Sequence, residues 1–317
     1  MKHIKFFVIF ILLNSYLLHA SPSKKIVYIT ADMKIPFWSI MSKGISNITH
    51  NHNYEFEIYD SKNSAKIELM HTINAIKDRV DGIIVSPTNS SACVTILKLA
   101  KKANIPVVIS DVGTDGGDYV SYISSNNKLG AYHIGNTLVK EMKKRDFDNK
   151  KVGIIAIPQK RLNGQQRTAG FMEALNQANI KGADIKQLIN WSDEETYEYT
   201  KELITRFPNL GAIWLQTSNI YKGAIKAIND LNKQNEVLLI AFDAEPEFIQ
   251  LIKNNTIIAS GMQQPYLMGQ KAALSMHKYL DNQNVMQDIQ IPVLTVTTKN
   301  INEIKEEINL NVLGIEN

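Results

Sequence analysis

The feature that most constrains the fold of this chain is a regular alternation of short β-branched runs with amphipathic segments. The runs over 25–30, 82–86 and 106–111 are rich in isoleucine and valine, as strands are when both faces of a parallel sheet are covered. Each is followed by a segment with helical spacing of apolar residues, such as 90–102. Alternating strands and helices predict an α/β fold built on parallel sheets.

The alternation is interrupted once, at a glycine-rich stretch over 113–118. An extended segment over 119–125 follows it, and the same rhythm then restarts. The second group includes a predicted helix over 166–177 and a predicted strand over 185–190. Two groups of strand–helix units predict two doubly wound, Rossmann-like lobes.

The N-terminus has the pattern of a secretory signal peptide. Lys2 and Lys5 precede and flank an apolar run over 6–13, which is too short to span a bilayer. The predicted signal peptide covers 1–23 and directs the mature chain to the periplasm. A leader that stays attached as an anchor is the alternative, because Leu18 stands where cleavage sites prefer a small residue.

Composition and charge are those of a soluble globular protein rather than a disordered one. The chain is 44% hydrophobic and 21% charged, and its net charge of +4 falls to +2 without the two leader lysines. No basic stripe indicates nucleic acid or an anionic membrane surface as a partner, and a monomer is expected. The single cysteine, Cys93, excludes an internal disulfide and is expected to be buried on a helix.

Motifs for catalysis or cofactor binding are absent from the sequence. It has no P-loop, no Gly-x-Gly-x-x-Gly after the first strand, no Gly-x-Ser-x-Gly and no Cys/His cluster with metal spacing. Acidic residues end several strands, but none comes with a nucleophile and a base at an interpretable spacing. A hydrolase is therefore the weaker alternative, and neither catalytic residues, a cofactor nor a metal is predicted.

Polar side chains follow several predicted strands directly. They are found at 86–88, Asp111, 216–218 and Asp243. In open α/β sheets, ligands bind outside the carboxyl ends of the strands. These short polar groups therefore predict a crevice that hydrogen-bonds hydroxyl groups.

Residues 25–299 resemble the periplasmic sugar-binding proteins of the ribose/galactose type, which deliver ligands to ABC importers or chemoreceptors. The resemblance rests on motifs that are weak singly but specific in this order: Ile35-Pro36-Phe37-Trp38, Gly82-Ile83-Ile84-Val85-Ser86-Pro87-Thr88, Ala103-Asn104-Ile105-Pro106-Val107-Val108, Ser124-Ser125-Asn126-Asn127-Lys128-Leu129-Gly130, Arg167-Thr168-Ala169-Gly170-Phe171 and Ala241-Phe242-Asp243.

The resemblance implies two lobes joined by three crossover strands, the fold of type I periplasmic binding proteins. The N-terminal lobe would comprise 24–123 and 264–292, and the C-terminal lobe 124–263 and 293–317. Bound ligand would bridge the lobes and stabilise the closed form, which a permease or receptor reads.

The resemblance also implies which residues touch the ligand. Phe37 and Trp38 would form an aromatic platform, Asp111 and Asp243 would accept sugar hydroxyls, and Gln263 would contribute an amide. The remaining candidates are Ser86, Gln165, Arg167, Trp191 and Thr217. Structural roles are the alternatives: capping for the two aspartates, packing for the tryptophans, and tying one lobe together for Arg167.

Two of these positions depart from the pattern of ribose binders. Gln165 stands where those proteins have a second arginine, and Thr217 stands where they have an asparagine. Because a buried hydroxyl without its partner costs about 1–3 kcal/mol, ribose itself is expected to bind poorly. A modified sugar, a polyol or a non-sugar signal is the expected ligand.

Three functions share this fold. The first is the substrate-binding component of an ABC importer, and the second is a periplasmic sensor subunit that acts on a membrane histidine kinase or chemoreceptor. The third, a sugar-responsive repressor, is disfavoured because 1–24 contains no helix-turn-helix headpiece. Residues 301–317 are expected to form a short terminal helix without an assigned role.

Overall fold

The computed structural model describes residues 23–315 and contains two six-stranded sheets. The first sheet has the strand order β11-β5-β4-β3-β1-β2, and all its neighbouring strands are parallel. We call the body around it lobe one. Its strands are β1 (Lys25–Thr30), β2 (Glu55–Asp60), β3 (Gly82–Ser86), β4 (Val107–Ser110), β5 (Ser121–Ser125) and β11 (Asp288–Ile291). Its helices are α1 (Pro36–Asn51), α2 (Ala65–Lys77), α3 (Ser90–Lys102) and α9 (Pro265–Leu280).

The second sheet has the order β12-β10-β9-β8-β6-β7 and forms lobe two. Only its edge strand β12 is antiparallel, to β10. Its strands are β6 (Lys151–Ala156), β7 (Gly182–Gln187), β8 (Leu210–Leu215), β9 (Leu238–Phe242), β10 (Ala259–Met262) and β12 (Leu294–Thr297). Its helices are α4 (Asn127–Lys144), α5 (Leu162–Gln177), α6 (Asp193–Arg206), α7 (Tyr221–Asp230) and α8 (Phe248–Lys253). The predicted α/β class with two parallel-sheet lobes is confirmed.

The chain passes between the two sheets three times. It leaves the first sheet after β5, returns to it after β10, and leaves it again between β11 and β12. Strands that end in one lobe therefore lead directly into the other. The predicted lobe limits at 123, 263 and 292 lie close to these crossings. The exact residues at which one lobe ends and the other begins stay a prediction.

Each face of the first sheet carries its own hydrophobic core. Ile26 and Tyr28 point to the side covered by α1 and α9, whereas Val27 and Ile29 point to the side covered by α2 and α3. This alternation follows from the two-residue period of a strand. Cys93 lies in the second of these cores and is fully buried, as predicted; burial raises the pKa of its thiol to about 12.

Helices α1 and α9 approach each other closely through two glycines. A Cβ atom at Gly44 would lie 2.1 Å from the carbonyl oxygen of Tyr266, and one at Gly269 would lie 2.1 Å from that of Met41. Both distances are far below contact distance, so the two backbones touch where neither residue has a side chain. The α1–α9 pair therefore depends on glycine at both positions.

The C-terminal segment, residues 301–315, packs against both lobes. It contains a short helical turn over Lys305–Glu307 and a π-helical turn over Ile308–Val312. Ile308 and Val312 are buried in a core of lobe two. Asn311 Nδ2 donates to Gln264 Oε1 at 2.9 Å, which brings the segment against the start of α9. These residues, without a role in the sequence analysis, are an integral part of the fold.

Two boundaries differ from the sequence prediction. The strand expected over 185–190 is β7, three residues earlier; it is a half-exposed edge strand whose apolar pattern is weak. The helix expected over 166–177 is α5, which begins one turn earlier at Leu162. The predicted signal peptide lies almost entirely outside the described residues. Within 23–315, no helix is both long and apolar enough to cross a membrane.

Candidate functional site

Asp111 and Asp243 occupy equivalent positions in the two lobes. Each directly follows a strand, β4 or β9, and each has a φ of +69°. The Asp111 N–H donates to the Ile123 carbonyl and the Asp243 N–H donates to the Gly261 carbonyl, each on the neighbouring strand and each at a distance of 2.9 Å. Residues other than glycine rarely adopt this left-handed conformation, although aspartate tolerates it, and such strain is concentrated at functional sites. Both sheets therefore place a carboxylate at a sharp turn beside the gap between the lobes.

Asp111 accepts hydrogen bonds from both lobes. Trp38 Nε1 of lobe one donates to its Oδ2 at 3.2 Å, and Asn163 Nδ2 of lobe two donates to its Oδ1 at 3.1 Å. Burial raises the pKa of the Asp111 carboxyl to about 6, although the Arg167 and Arg161 guanidinium groups oppose the rise. Asp111 therefore connects the lobes directly.

Asp243 is held within lobe two. Arg167 Nη1 lies 3.3 Å from its Oδ2, and Gln263 Nε2 donates to its Oδ1 at 2.6 Å. Burial raises the pKa of the Asp243 carboxyl, while the charge of Arg167 acts to lower it. Arg167 also donates to Asn127 Oδ1 at 2.9 Å and to the Gln216 carbonyl at 2.6 Å. These bonds give Arg167 the role of tying lobe two together.

Arg161, at the start of α5, reaches from lobe two into lobe one. Its Nε donates to the Thr88 carbonyl at 3.0 Å, and its Nη2 donates to Asn63 Oδ1 at 3.1 Å. The guanidinium carbon lies 5.5 Å from the ring centroid of Trp38 and 5.0 Å from that of Trp191. Although Arg161 is only 3% exposed, these hydrogen bonds and aromatic faces compensate its charge. Burial lowers its pKa to about 10.

Arg161 and Asn163 join the lobes but were not predicted from the sequence. They come five and seven residues after the end of β6, whereas Asp111 and Asp243 directly follow their strands. The predicted helix also began at Gln166, so neither residue was assigned to an element. Their contacts cross between lobes, and no sequence pattern indicates such pairs.

Gln165 does not join the other predicted site residues. It is exposed, and its Nε2 donates to the Gln159 carbonyl at 2.9 Å. Because α5 begins at Leu162, both Gln165 and Arg167 lie on the helix, and two residues correspond to about 200° of rotation. With Arg167 turned inward, Gln165 faces away from the gap.

Of the other predicted site residues, one lies in the core of lobe one and the rest lie at the gap between the lobes. The Ser86 hydroxyl is fully buried in lobe one and hydrogen-bonds to the Tyr28 hydroxyl at 2.8 Å. The rings of Trp38 and Trp191 lie under the guanidinium of Arg161. Phe37 and Thr217, with Asp243 and Gln263, line a cavity between the lobes.

This cavity has a volume of about 20 Å³, enough for about one water molecule and far below the size of small-molecule sites, so a sugar can enter it only if the lobes move apart. Its wall comes from α1 and its approach, from the ends of β8, β9 and β10, and from the C-terminal segment. The lining residues are Ile35, Phe37, Ile40, Thr217, Ser218, Asn219, Asp243, Ala244, Glu245, Gln263, Pro265 and Val312.

Several polar groups of the cavity wall are hydrogen-bonded to one another. Gln263 Oε1 is buried and has no partner within residues 23–315. Glu245 accepts a hydrogen bond from the Ser218 hydroxyl at 2.8 Å, and burial raises the pKa of its carboxyl. The Thr217 hydroxyl donates to Asn219 Oδ1 at 2.7 Å. In the described part of the chain, no cluster of His, Cys, Asp or Glu is suited to a metal ion.

Residues 26–284 match the model of a family described as the periplasmic binding protein domain. The chain belongs to the periplasmic binding protein family. The resemblance found in the sequence is thereby confirmed, and in this binding protein the ends of lobe-two strands face α1 of lobe one across the cavity.

Two of the relatives of this binding protein have names that state what they bind. It is 25% identical over 278 residues to the ribose import binding protein RbsB of Haemophilus influenzae, covering 86% of this chain and 91% of that one. It is 26% identical over 259 residues to the D-ribose/D-allose-binding protein of Pseudomonas aeruginosa, covering 77% and 79%. These names describe binding proteins rather than enzymes, in agreement with the prediction.

Solved structures share the fold. A solute-binding protein of Actinobacillus succinogenes with bound D-allose superposes with a TM-score of 0.81 at 22% identity, over 89% of this chain and 100% of that one. A Bacillus halodurans protein with bound myo-inositol gives 0.81 at 19% identity, over 90% and 98%. At these identities the similarity establishes the type I periplasmic binding protein fold.

Proposed function

We propose that this binding protein captures a small hydroxylated ligand, a sugar or polyol, in the cavity between its lobes. The observation that carries the proposal is the cavity wall: an aromatic ring from lobe one, Phe37, opposes Asp243, Gln263 and Thr217 from the ends of lobe-two strands. Aromatic rings pack against the C–H face of a sugar, while carboxylates and amides accept its hydroxyl protons. The sugar ligands of its relatives support this assignment.

The ligand-loaded form is proposed to act in the periplasm on the permease of an ABC importer. The import role in the names of relatives supports an importer over a sensor kinase or chemoreceptor. Edman sequencing or mass spectrometry of the exported protein tests the leader: a mature chain starting near residue 24 supports cleavage, and an intact Met1 identifies an anchor.

Thermal-shift measurements with pentoses, hexoses and polyols test ligand binding. A ligand that binds only the native state raises its Tm, by an amount that corresponds to about 2.7 kcal/mol at a hundredfold excess over Kd. We expect at least one compound to raise the Tm, and we expect ribose to be among the weaker ones.

Substitutions of cavity residues test whether the ligand binds there. Phe37→Ala and Asp243→Ala are expected to abolish the ligand-induced rise in Tm, because they remove the aromatic face and a carboxylate of the cavity. Gln165→Ala is the matched control, since this side chain is exposed and faces away. A full response in both cavity variants would place the ligand elsewhere.

A further inference from the structure

The cavity wall carries a carboxylate that no cation neutralises. Among the residues that line it, Asp243 and Glu245 are acidic and none is lysine, arginine or histidine. Asp243 is paired with Arg167. Glu245, in contrast, forms no ion pair within residues 23–315 and accepts its hydrogen bond from a neutral hydroxyl, that of Ser218.

The surroundings of Glu245 disfavour its negative charge. Burial raises its pKa most, and the charges of Asp243 and Glu247 raise it further. The Ser218 hydrogen bond and the more weakly acting Lys222 lower it without cancelling the rise. A cation placed in the cavity would relieve this unfavourable charge, because an opposite charge at short distance favours the ionised form.

Most hydrogen-bond donors of the wall are already used inside it. The hydroxyls of Thr217 and Ser218 donate to neighbouring side chains, and Gln263 Nε2 donates to Asp243. The Gln263 oxygen is left buried, with 1% of the residue exposed and no partner within the described chain. A buried acceptor without a donor is unfavourable, so the ligand is expected to supply N–H or O–H donors here.

The aromatic residues of the gap point to the same chemistry. Arg161 covers the rings of Trp38 and Trp191, so Phe37 is the aromatic ring that faces the cavity. A positive group beside an aromatic face is attracted by the ring quadrupole. Phe37 can therefore contribute to binding a cation as well as to packing against a sugar ring.

We infer that the ligand of this cavity carries a protonated amine in addition to hydroxyl groups, as an amino sugar does, and that Glu245 pairs with its ammonium group. This inference rests on the proposed function and makes it more specific. A neutral sugar would leave the Glu245 carboxylate uncompensated when the lobes exclude water, whereas an ammonium group provides a charge and several donors at once.

Isothermal titration calorimetry with matched sugars tests the inference. The probes are glucosamine, glucose and N-acetylglucosamine, and the corresponding galactose series, at pH 7 and low salt. Within one series the amine-bearing sugar is expected to bind at least about tenfold more tightly than the other two, since charge-assisted hydrogen bonds are roughly twice as strong as neutral ones. The N-acetyl compound has the nitrogen without its charge.

Two substitutions identify the partner of the amine. Glu245→Gln keeps the shape of the side chain and is expected to remove most of the preference for the amine over the neutral sugar. Glu247→Gln is the matched control, because Glu247 is exposed and does not line the cavity. It is expected to retain the preference.

The outcomes separate this inference from the proposed function. Neutral sugars that bind as tightly as the amines, or an unchanged preference in Glu245→Gln, would overturn the inference and leave sugar binding intact. Absence of binding for every amine, neutral sugar and polyol tested would overturn the proposed function and the inference with it.

Discussion

Glu68 is fully buried, and its carboxyl group contacts Thr88, a residue of lobe one that bonds to Arg161 of lobe two. It accepts hydrogen bonds from the Thr88 backbone N–H at 2.7 Å and from the Thr88 hydroxyl at 3.1 Å. The carbonyl of the same threonine accepts the Nε–H of Arg161. Burial raises the pKa of Glu68 to about 7 in spite of these hydrogen bonds and the charge of Arg161. The ionisation of Glu68 is therefore linked to folding.

The sign of this linkage gives a pH prediction. Because the pKa in the folded chain lies above the ordinary value of 4.5, the contribution of Glu68 to stability is fully present below pH 4.5 and is lost as the pH rises through 7. Glu68→Gln cannot ionise, so the wild type is expected to lose on the order of 2–3 kcal/mol relative to this variant over that range. Urea unfolding at a series of pH values measures the difference.

The exposed Glu306→Gln provides the control for the pH series. Its stability is expected to follow that of the wild type at every pH. If the free energy of unfolding depended on pH in the same way for the wild type and Glu68→Gln, Glu68 would titrate alike in the folded and unfolded chains, and the prediction would be wrong.

The α1–α9 pair makes a prediction at the scale of elements. Gly44→Ala places a methyl group against the Tyr266 carbonyl, and is expected to cost at least about 1–3 kcal/mol because rigid helix backbones must separate. Gly182→Ala, where the new Cβ would meet only Met172 Cε at 3.7 Å, serves as the control. Equal urea midpoints for the two variants would contradict close backbone contact between α1 and α9.

The C-terminal segment is expected to stabilise the fold. Ile308 is fully buried in the lobe-two core, so Ile308→Ala is expected to cost about 2–5 kcal/mol in the free energy of unfolding. The exposed neighbour Glu306 is the control, and Glu306→Ala should change stability by less than about 0.5 kcal/mol. Chemical denaturation monitored by circular dichroism measures both, and equal losses would show the segment to be detached in solution.

The strands and helices could be predicted from the sequence more completely than the contacts between them. Buried β-branched strands and the order of strand–helix units are local patterns, so the lobes and the strand-end positions of Asp111 and Asp243 could be predicted. The partners of Asp111 could not, because Asn163 is far away in sequence and lies in the other lobe. The outward direction of Gln165 could not be predicted either, because it depends on where α5 begins, a boundary that sequence patterns locate poorly.

At the scale of the whole molecule, the protein itself holds its lobes together. Arg161 bonds to Thr88 and Asn63, Asn163 bonds to Asp111, and the Leu162 N–H donates to the Ser90 hydroxyl at 3.3 Å. Hydrogen bonds to charged groups contribute about 1.5–3 kcal/mol each. A ligand therefore adds to an existing set of lobe contacts, and its affinity depends on how strongly they favour the closed form.

Arg161→Met tests the contribution of these contacts to closure. The substitution keeps an unbranched apolar stem but removes the hydrogen bonds to lobe one and the charge over the tryptophan rings. The ligand-free variant is expected to have a larger radius of gyration than the wild type in small-angle X-ray scattering. Arg206→Met, at an arginine that pairs with Asp184 and Glu202 of its own lobe, should leave the scattering curve unchanged. A compact Arg161→Met would assign closure to other contacts.

The buried thiol of Cys93 has a practical consequence. It is the single cysteine of the chain, it has no exposed surface, and with a pKa of about 12 it contains almost no thiolate at neutral pH. A cysteine engineered at the rim of the cavity would therefore be the one site that a maleimide dye labels in the folded protein. The native sequence thus needs no cysteine removal before it is converted into a fluorescent reporter of its own ligand.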